Sequence, residues 1–294
     1  MRLSFTVQLI ATLILVCTSA LADAPKAEYL GSFRWQIDKP WFGGFSGIEL
    51  SPDGQSMTVI SDRGKILTTR ITRKDGKITA IIPGPLRQLK SGSGTYLKGK
   101  AADSEGIAIA ADGTIYVSFE GVHRVLRYAA PDDSAKPLNR AKAFRSLPFN
   151  GSLEALAIDQ HGQLYTVPEY ALDSSGNIQV YRWTSGKWTS PFSLPANGDF
   201  HPVGADFGPD GRFYLLERAF GVLGFRSRLR RWDFTKTSAQ NEQTLLQTSP
   251  MTHDNLEGLS IWRDSTGRLR ATMISDDNFM FFQRTELVEY ALTE

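Results

Sequence analysis

The chain has 294 residues, 41% of them hydrophobic and 22% charged, with 33 Lys and Arg against 31 Asp and Glu. A net charge of +2 excludes the basic footprint of a nucleic-acid binder. The one cysteine rules out an intrachain disulfide framework.

The chain opens on a segment that does not belong to the fold. Arg2 gives a positive n-region, Val7 to Val16 is apolar, and Ala20-Leu21-Ala22 is a small-x-small cleavage site. Residues 1–22 read as a secretory signal peptide cut before Asp23, which places the product in the periplasm or outside the cell. The apolar run is too short to span a bilayer, and no later stretch suggests a span. Cys17 leaves with the leader, and about 270 residues remain, enough for one large β domain over 23–294.

Glu28 to Ile37 is a strand with no repeat of its own. After it one phrase returns five times: an acidic or small residue, Gly or Ala, an apolar doublet, a Gly turn, and a strand ending in acid. The copies run from Ser46-Gly47-Ile48 to Asp62, from Glu105-Gly106-Ile107 to Glu120, and from Glu154-Ala155-Leu156 to Glu169. The last two run from Val203-Gly204-Ala205 to Glu217 and from Glu257-Gly258-Leu259 to Asp276-Asp277. A strand–turn–strand unit recurring about every 50 residues is the signature of a β-propeller, in which each blade must stack on its neighbours. Within a copy the apolar positions alternate, as in Ile107, Ile109, Ile115 and Val117, which is strand periodicity. The Asp-Gly turns at 53–54, 112–113 and 210–211 suit tight hairpins. The final copy holds three strands, so Glu28 to Ile37 is expected to supply its fourth and close the ring. The expected fold is therefore an all-β propeller of five repeats. A sixth blade would need a degenerate unit, for which only Pro131 to Phe149 has the length.

Repeat-equivalent residues of a propeller form rings around its channel. One ring here is Ser46, Glu105, Glu154, Val203 and Glu257; a second is Asp62, Glu120, Glu169, Glu217 and the pair Asp276-Asp277. Converging carboxylates repel unless a cation lies among them, and hard oxygen donors favour Ca²⁺ or Mg²⁺. Asp and Glu also serve as turn residues in propellers without any ligand. Arg63, Arg218 and Arg284 follow acidic positions and suit either internal counter-charge or an anionic substrate group. His201 and His253 precede ring positions and are weaker acid–base candidates. His161 and the loop Asp173 to Asn177 read as turns, and Phe279, Phe281 and Phe282 as packing residues. Neither Gly-x-Ser-x-Gly nor Ser-x-x-Lys occurs, which removes the local signatures of two serine hydrolase classes.

Phe45-Ser46-Gly47-Ile48, Ser61-Asp62-Arg63-Gly64, Asp103-Ser104-Glu105-Gly106-Ile107-Ala108 and Leu215-Leu216-Glu217-Arg218 stand in order along the chain. Asn255-Leu256-Glu257-Gly258-Leu259, Ser275-Asp276-Asp277-Asn278-Phe279 and Gln283-Arg284-Thr285 complete the set. The set resembles the phytase-like domain family, whose members are labelled proteins with esterase-like activity of phytase. That resemblance implies an exported propeller that hydrolyses phosphate esters with the aid of calcium. On this reading Glu105, Glu154, Glu217, Glu257, Asp276 and Asp277 hold Ca²⁺. Glu257 and Asp276 also serve catalysis, and Arg218 and Arg284 take up negative charge on a small phosphate or other ester. The alternatives are a non-catalytic binding propeller of the cell envelope and a lactonase-type propeller hydrolase.

Overall fold

The computed structural model describes residues 26–293; the signal peptide expected at residues 1–22 lies outside them. The first strand, β1 (Ala27–Arg34), precedes blade one, which is built from β2 (Phe45–Leu50), β3 (Ser56–Ser61), β4 (Lys65–Lys74), β5 (Lys77–Pro83) and the short β6 (Arg87–Gln88). Blade two comprises β7 (Ser104–Ile109), β8 (Ile115–Phe119), β9 (Arg124–Tyr128) and β10 (Lys136–Pro137). Blade three holds β11 (Ala155–Ile158), β12 (Leu164–Val167), β13 (Ile178–Thr184) and β14 (Lys187–Leu194). Blade four holds β15 (His201–Phe207), β16 (Phe213–Gly221), β17 (Gly224–Phe234) and β18 (Ala239–Gln247). Blade five is made of β19 (Leu256–Arg263), β20 (Leu269–Ser275) and β21 (Glu286–Leu292), completed on its outer edge by β1.

Five antiparallel blades are therefore present, as the repeats require. The segment 131–149 contributes β10 and the 3₁₀ turn Lys142–Ser146 rather than a sixth. The seam is made by β1 against β21, paired from Ala27 with Leu292 to Arg34 with Glu286 with a register shift between Tyr29 and Gly31. It removes the open edge that β21 would otherwise present.

The core is the set of layers between neighbouring blades. Ile60, Ile66, Ile107 and Val117 pack between blades one and two. Ala108, Val125, Leu156 and Leu164 fill the next gap, and Ala157, Val180, Leu215 and Trp232 the one between blades three and four. Val203, Leu229, Leu259 and Met273 fill the gap between four and five. Trp35, Ile48, Val59, Ile274 and Leu287 close the circle between five and one.

The glycine that follows the ring position in every blade but the third, which has Ala155, has a packing cause. A Cβ on Gly204 would lie 2.3 Å from the Glu257 carbonyl oxygen, and one on Gly106 2.6 Å from that of Glu154. At these two glycines the inner strands of adjacent blades abut backbone to backbone with no room for a side chain. Gly204→Ala should cost about 1–3 kcal/mol, read as a thermal midpoint lower by roughly 2–6 °C. An unchanged midpoint would mean that the inner strands can move apart freely.

Candidate active site at the mouth of the channel

The first residues of each inner strand and the last of its neighbour meet at one end of the channel, because the two strands form an antiparallel hairpin. The Asp62 N–H donates to the Gly44 carbonyl, that of Glu120 to Asp103 and that of Asp276 to Asn255. This register brings Asp62, Glu120 and Asp276 beside the inner-strand ring of Glu105, Glu154 and Glu257. Blade three places Glu169 likewise.

Blade four differs. There Pro202 faces Glu217 and His201 faces Arg218, so the residue equivalent to Glu120 is Arg218. Glu217, expected in the ring, lies one residue earlier and points to the other side of its strand. It is fully buried in the blade, where Arg228 Nε donates to it at 2.7 Å and Arg230 Nε at 2.7 Å. The same one-residue alternation makes Arg218 the cation of the ring. Its Nη2 donates to Glu169 at 2.8 Å, and its Nη1 donates to Asn255 at 2.7 Å and to Glu257. Asn255 Nδ2 donates in turn to Glu257 at 2.9 Å.

Two further residues expected in the site are spent elsewhere. Asp277 accepts from Gly44 N–H at 3.0 Å, Phe279 N–H at 3.1 Å and Thr285 Oγ1 at 3.0 Å, which pins its own loop. Arg284 is committed to Glu286, with Nε donating at 3.0 Å, and its N–H donates to Asp254. His253 is buried within blade five against the Tyr290 hydroxyl at 2.7 Å. His201 does reach the mouth, packed edge-on to Tyr170 at 4.7 Å. Asp173 accepts from Ser175 and Asn177 N–H groups and is a turn residue, as expected. Phe281 and Phe282 do not enter the core: they are 99% and 66% exposed and pack edge-on against each other at 5.3 Å.

Asp103 was not anticipated as a ligand, although it precedes Glu105 by two residues and so shares its side of the strand. Oxygens of Asp103, Glu105 and Glu120 lie within 4.8 Å of one another. Glu120 also accepts from Gly151 N–H at 2.7 Å. Two buried oxygens of the ring, Asp62 Oδ1 and Ser152 Oγ, have no partner in the protein.

Crowding and burial show in the acidities. Burial, with Glu257 and Asp62 nearby, pushes Asp276 up to about 8. Burial raises Asp62 to about 6, with Asp103, Glu257 and Asp277 adding to it against Arg63. Glu105 and Glu154 are pushed well up by burial and by the neighbouring carboxylates, and Glu257 is raised by burial against the pull of Arg218. Burial opposes the charge on Arg218, but Glu257, Glu169 and Glu154 outweigh it and keep the guanidinium protonated. At the far end of the inner strands, burial raises Asp206 to about 7 beside Glu49, with Ile261 N–H donating to it at 2.6 Å.

The oxygen-only donor set fits a hard divalent cation and not a soft one. A cavity of about 440 Å³, lined by Glu169, Tyr170, His201, Arg218 and Asn255, opens from the ring to solvent.

Residues 40–279 match the family model Phytase-like, described as esterase-like activity of phytase. A search of curated proteins finds no match. Among solved structures the chain is similar to a gluconolactonase from Xanthomonas campestris at 16% identity, covering 85% of this chain and 78% of that one, with a TM-score of 0.47. It is also similar to the PQQ-bound aldose sugar dehydrogenase from Streptomyces coelicolor at 12% identity, covering 92% and 100%, with a TM-score of 0.47. A streptogramin B lyase matches at 15% identity over 86% of this chain and 67% of that one, with a TM-score of 0.45.

Proposed function

The chain belongs to the phytase-like family, and from that premise we propose that it is an exported hydrolase of phosphate esters whose carboxylate ring holds a divalent cation, with Ca²⁺ the best fit. The observation that carries the reading is the meeting of Asp103, Glu105 and Glu120 oxygens beside the unpartnered Asp62 Oδ1 and Ser152 Oγ. These acids lie too close to be charged together without a counter-ion.

When bound, such a cation polarises an ester oxygen and acidifies a water. Asp103, Glu105 and Glu120 are the residues that would hold it. Arg218 is oriented by Glu169, Asn255 and Glu257, and its guanidinium would stabilise negative charge gained on the ester oxygens. Asp276, raised in the metal-free protein by burial and by its neighbouring carboxylates, is the carboxyl that would serve the leaving oxygen in proton transfer.

The test is hydrolysis of a phosphomonoester, a carboxyl ester and a lactone by the purified protein, with Ca²⁺ and with chelator. Calcium-dependent turnover of the phosphomonoester is expected, and Glu105→Gln should lower it by about 100-fold or more. Turnover of the lactone alone would select the lactonase-type reading. Calcium binding with no turnover of any ester would make the protein a binding propeller. Export belongs to the same proposal: N-terminal sequencing of the mature protein should begin at Asp23, and an intact Met1 would remove it.

A further inference from the structure

Against the carboxylate ring, between blades one and two, lies a second cavity of about 650 Å³. It meets the ring at Asp62 and Asp103, and its walls carry Arg63, Lys65, Lys98 and Lys100. Among the described residues none of these four cations forms an ion pair or donates a side-chain hydrogen bond. That sets them apart from Arg218, which has carboxylates on both sides. Two of the four lie against aromatic rings: Arg63 sits 3.3 Å from the centre of Phe279 and Lys100 4.5 Å from that of Phe149. Lys65 is lowered from its ordinary value by burial and by the charge of Arg63, against the pull of Asp62, as expected where cations crowd together.

Apart from Gln88, the rest of the lining is apolar or glycine. Leu97 and Ala102 are buried beneath it, while Tyr96 and Phe149 are 59% and 55% exposed at its rim. The surroundings continue the pattern. Among the described residues, all the large exposed apolar side chains except Tyr29 and Ile82 lie in loops or at strand ends at this end of the propeller, including Phe220, Val222, Leu223 and Met251.

We propose that this cavity is a subsite for a phosphate ester that carries an apolar group. Arg63, Lys65, Lys98 and Lys100 meet the phosphate oxygens, and Tyr96 and Phe149 flank the apolar part. The subsite deepens the hydrolase reading and rests on it for its role, since it delivers the ester linkage beside Asp62 and Asp103. Unpaired cations recognise the several oxygens of a phosphate, and aromatic walls favour an apolar substituent over a polyol. Such a ligand comes either from solution, as an aryl phosphate, or from a lipid surface.

The experiment uses non-hydrolysable probes, so that it reads binding with no turnover. Phenylphosphonate and methylphosphonate are titrated calorimetrically in Ca²⁺ against the full mature protein, the double variant Lys98→Glu/Lys100→Glu, and Phe149→Ala. A second arm measures co-sedimentation with phosphatidylcholine vesicles, with and without phosphatidylglycerol. The double variant should weaken binding of the phosphorus-bearing probe roughly tenfold, at an unchanged thermal midpoint. Phe149→Ala should erase the preference for phenyl over methyl. Loss confined to the phosphonate arm assigns a soluble ester, and loss in the phosphatidylglycerol arm assigns a lipid. Equal binding by parent and double variant in both arms overturns the subsite. Catalysis that depends on Glu105 but ignores these variants would sink the subsite alone. Charge-dependent phenylphosphonate binding without ester turnover would sink the hydrolase reading alone.

Discussion

Glu217→Ala should lower the thermal midpoint by roughly 10 °C, because removing one partner of a buried ion pair costs about 3–5 kcal/mol. The side chains of Glu217 and Arg230 are both 0% exposed, and Arg228 is nearly as buried. Without the carboxylate, two guanidinium groups would remain inside blade four, hydrogen-bonded among the described residues to Glu242, Pro195 and Asn197 and lying over the Phe200 and Trp232 rings. The loss comes from stranded charge, not from the worth of the pair, which well-packed apolar residues would match. On the proposed function, calcium should stabilise variant and parent equally, since Glu217 does not reach the ring. A scanning calorimeter, with Ca²⁺ and with chelator, reads both effects. A midpoint that falls only in the calcium-loaded protein would return Glu217 to the metal site.

The second large effect is on pH. In chelator, stability should fall as pH rises from 5 to 8.5, by roughly 5 °C or more in the midpoint. Asp62, Asp206 and Asp276 have folded values of about 6, 7 and 8, against an ordinary value of 3.8. Between 3.8 and those values the folded protein keeps protons that the unfolded chain has released, so raising the pH favours unfolding. Asp264 works the other way. It is lowered to about 2 despite burial, through hydrogen bonds from Thr266 and Arg270. Its contribution is therefore complete above 3.8 and absent from this window. Calcium should remove most of the fall at pH 8.5, by replacing the lost protons in the ring, and should do little at pH 5. Asp206 lies at the other end, so a residual slope should remain. A midpoint flat from pH 5 to 8.5 in chelator would contradict the crowded ring.

The number of blades and their closure could be read from the chain because inner strands obey a local rule. Each begins with the same small or acidic residue, needs a glycine or alanine where backbones abut, and turns on a glycine. The site was less legible, and blade four shows why. Leu215-Leu216-Glu217-Arg218 offers an acid at nearly the repeat position, and chemistry favours choosing it. Only the pairing of His201 with Arg218 shows that the ring residue is the arginine, and one step along a strand reverses the face. Asp277 and Arg284 failed as ring residues for another reason. They lie in or beside the long loop after β20, where nothing periodic fixes direction, and that loop consumes their hydrogen bonds. Asp103 carried a usable signal, its two-residue spacing from Glu105. Of the cations of the second cavity only Arg63 carried one, as the residue after the ring acid Asp62; Lys65 lies further along blade one, and Lys98 and Lys100 come from the connection into blade two.

The seam between β1 and β21 also orders events in time. Blades one to four are each woven from contiguous chain, so their hairpins can form as soon as their own residues are available. Blade five joins residues 27–34 to residues 286–292, and closing so long a loop is the slowest kind of pairing. Until that strand docks, β21 is an unpaired edge and the layer between blades five and one lacks Trp35. Closure of the ring is thus expected to be the last step of assembly. A peptide matching Ala27–Arg34, supplied while the chain refolds, would compete there and nowhere else in the molecule.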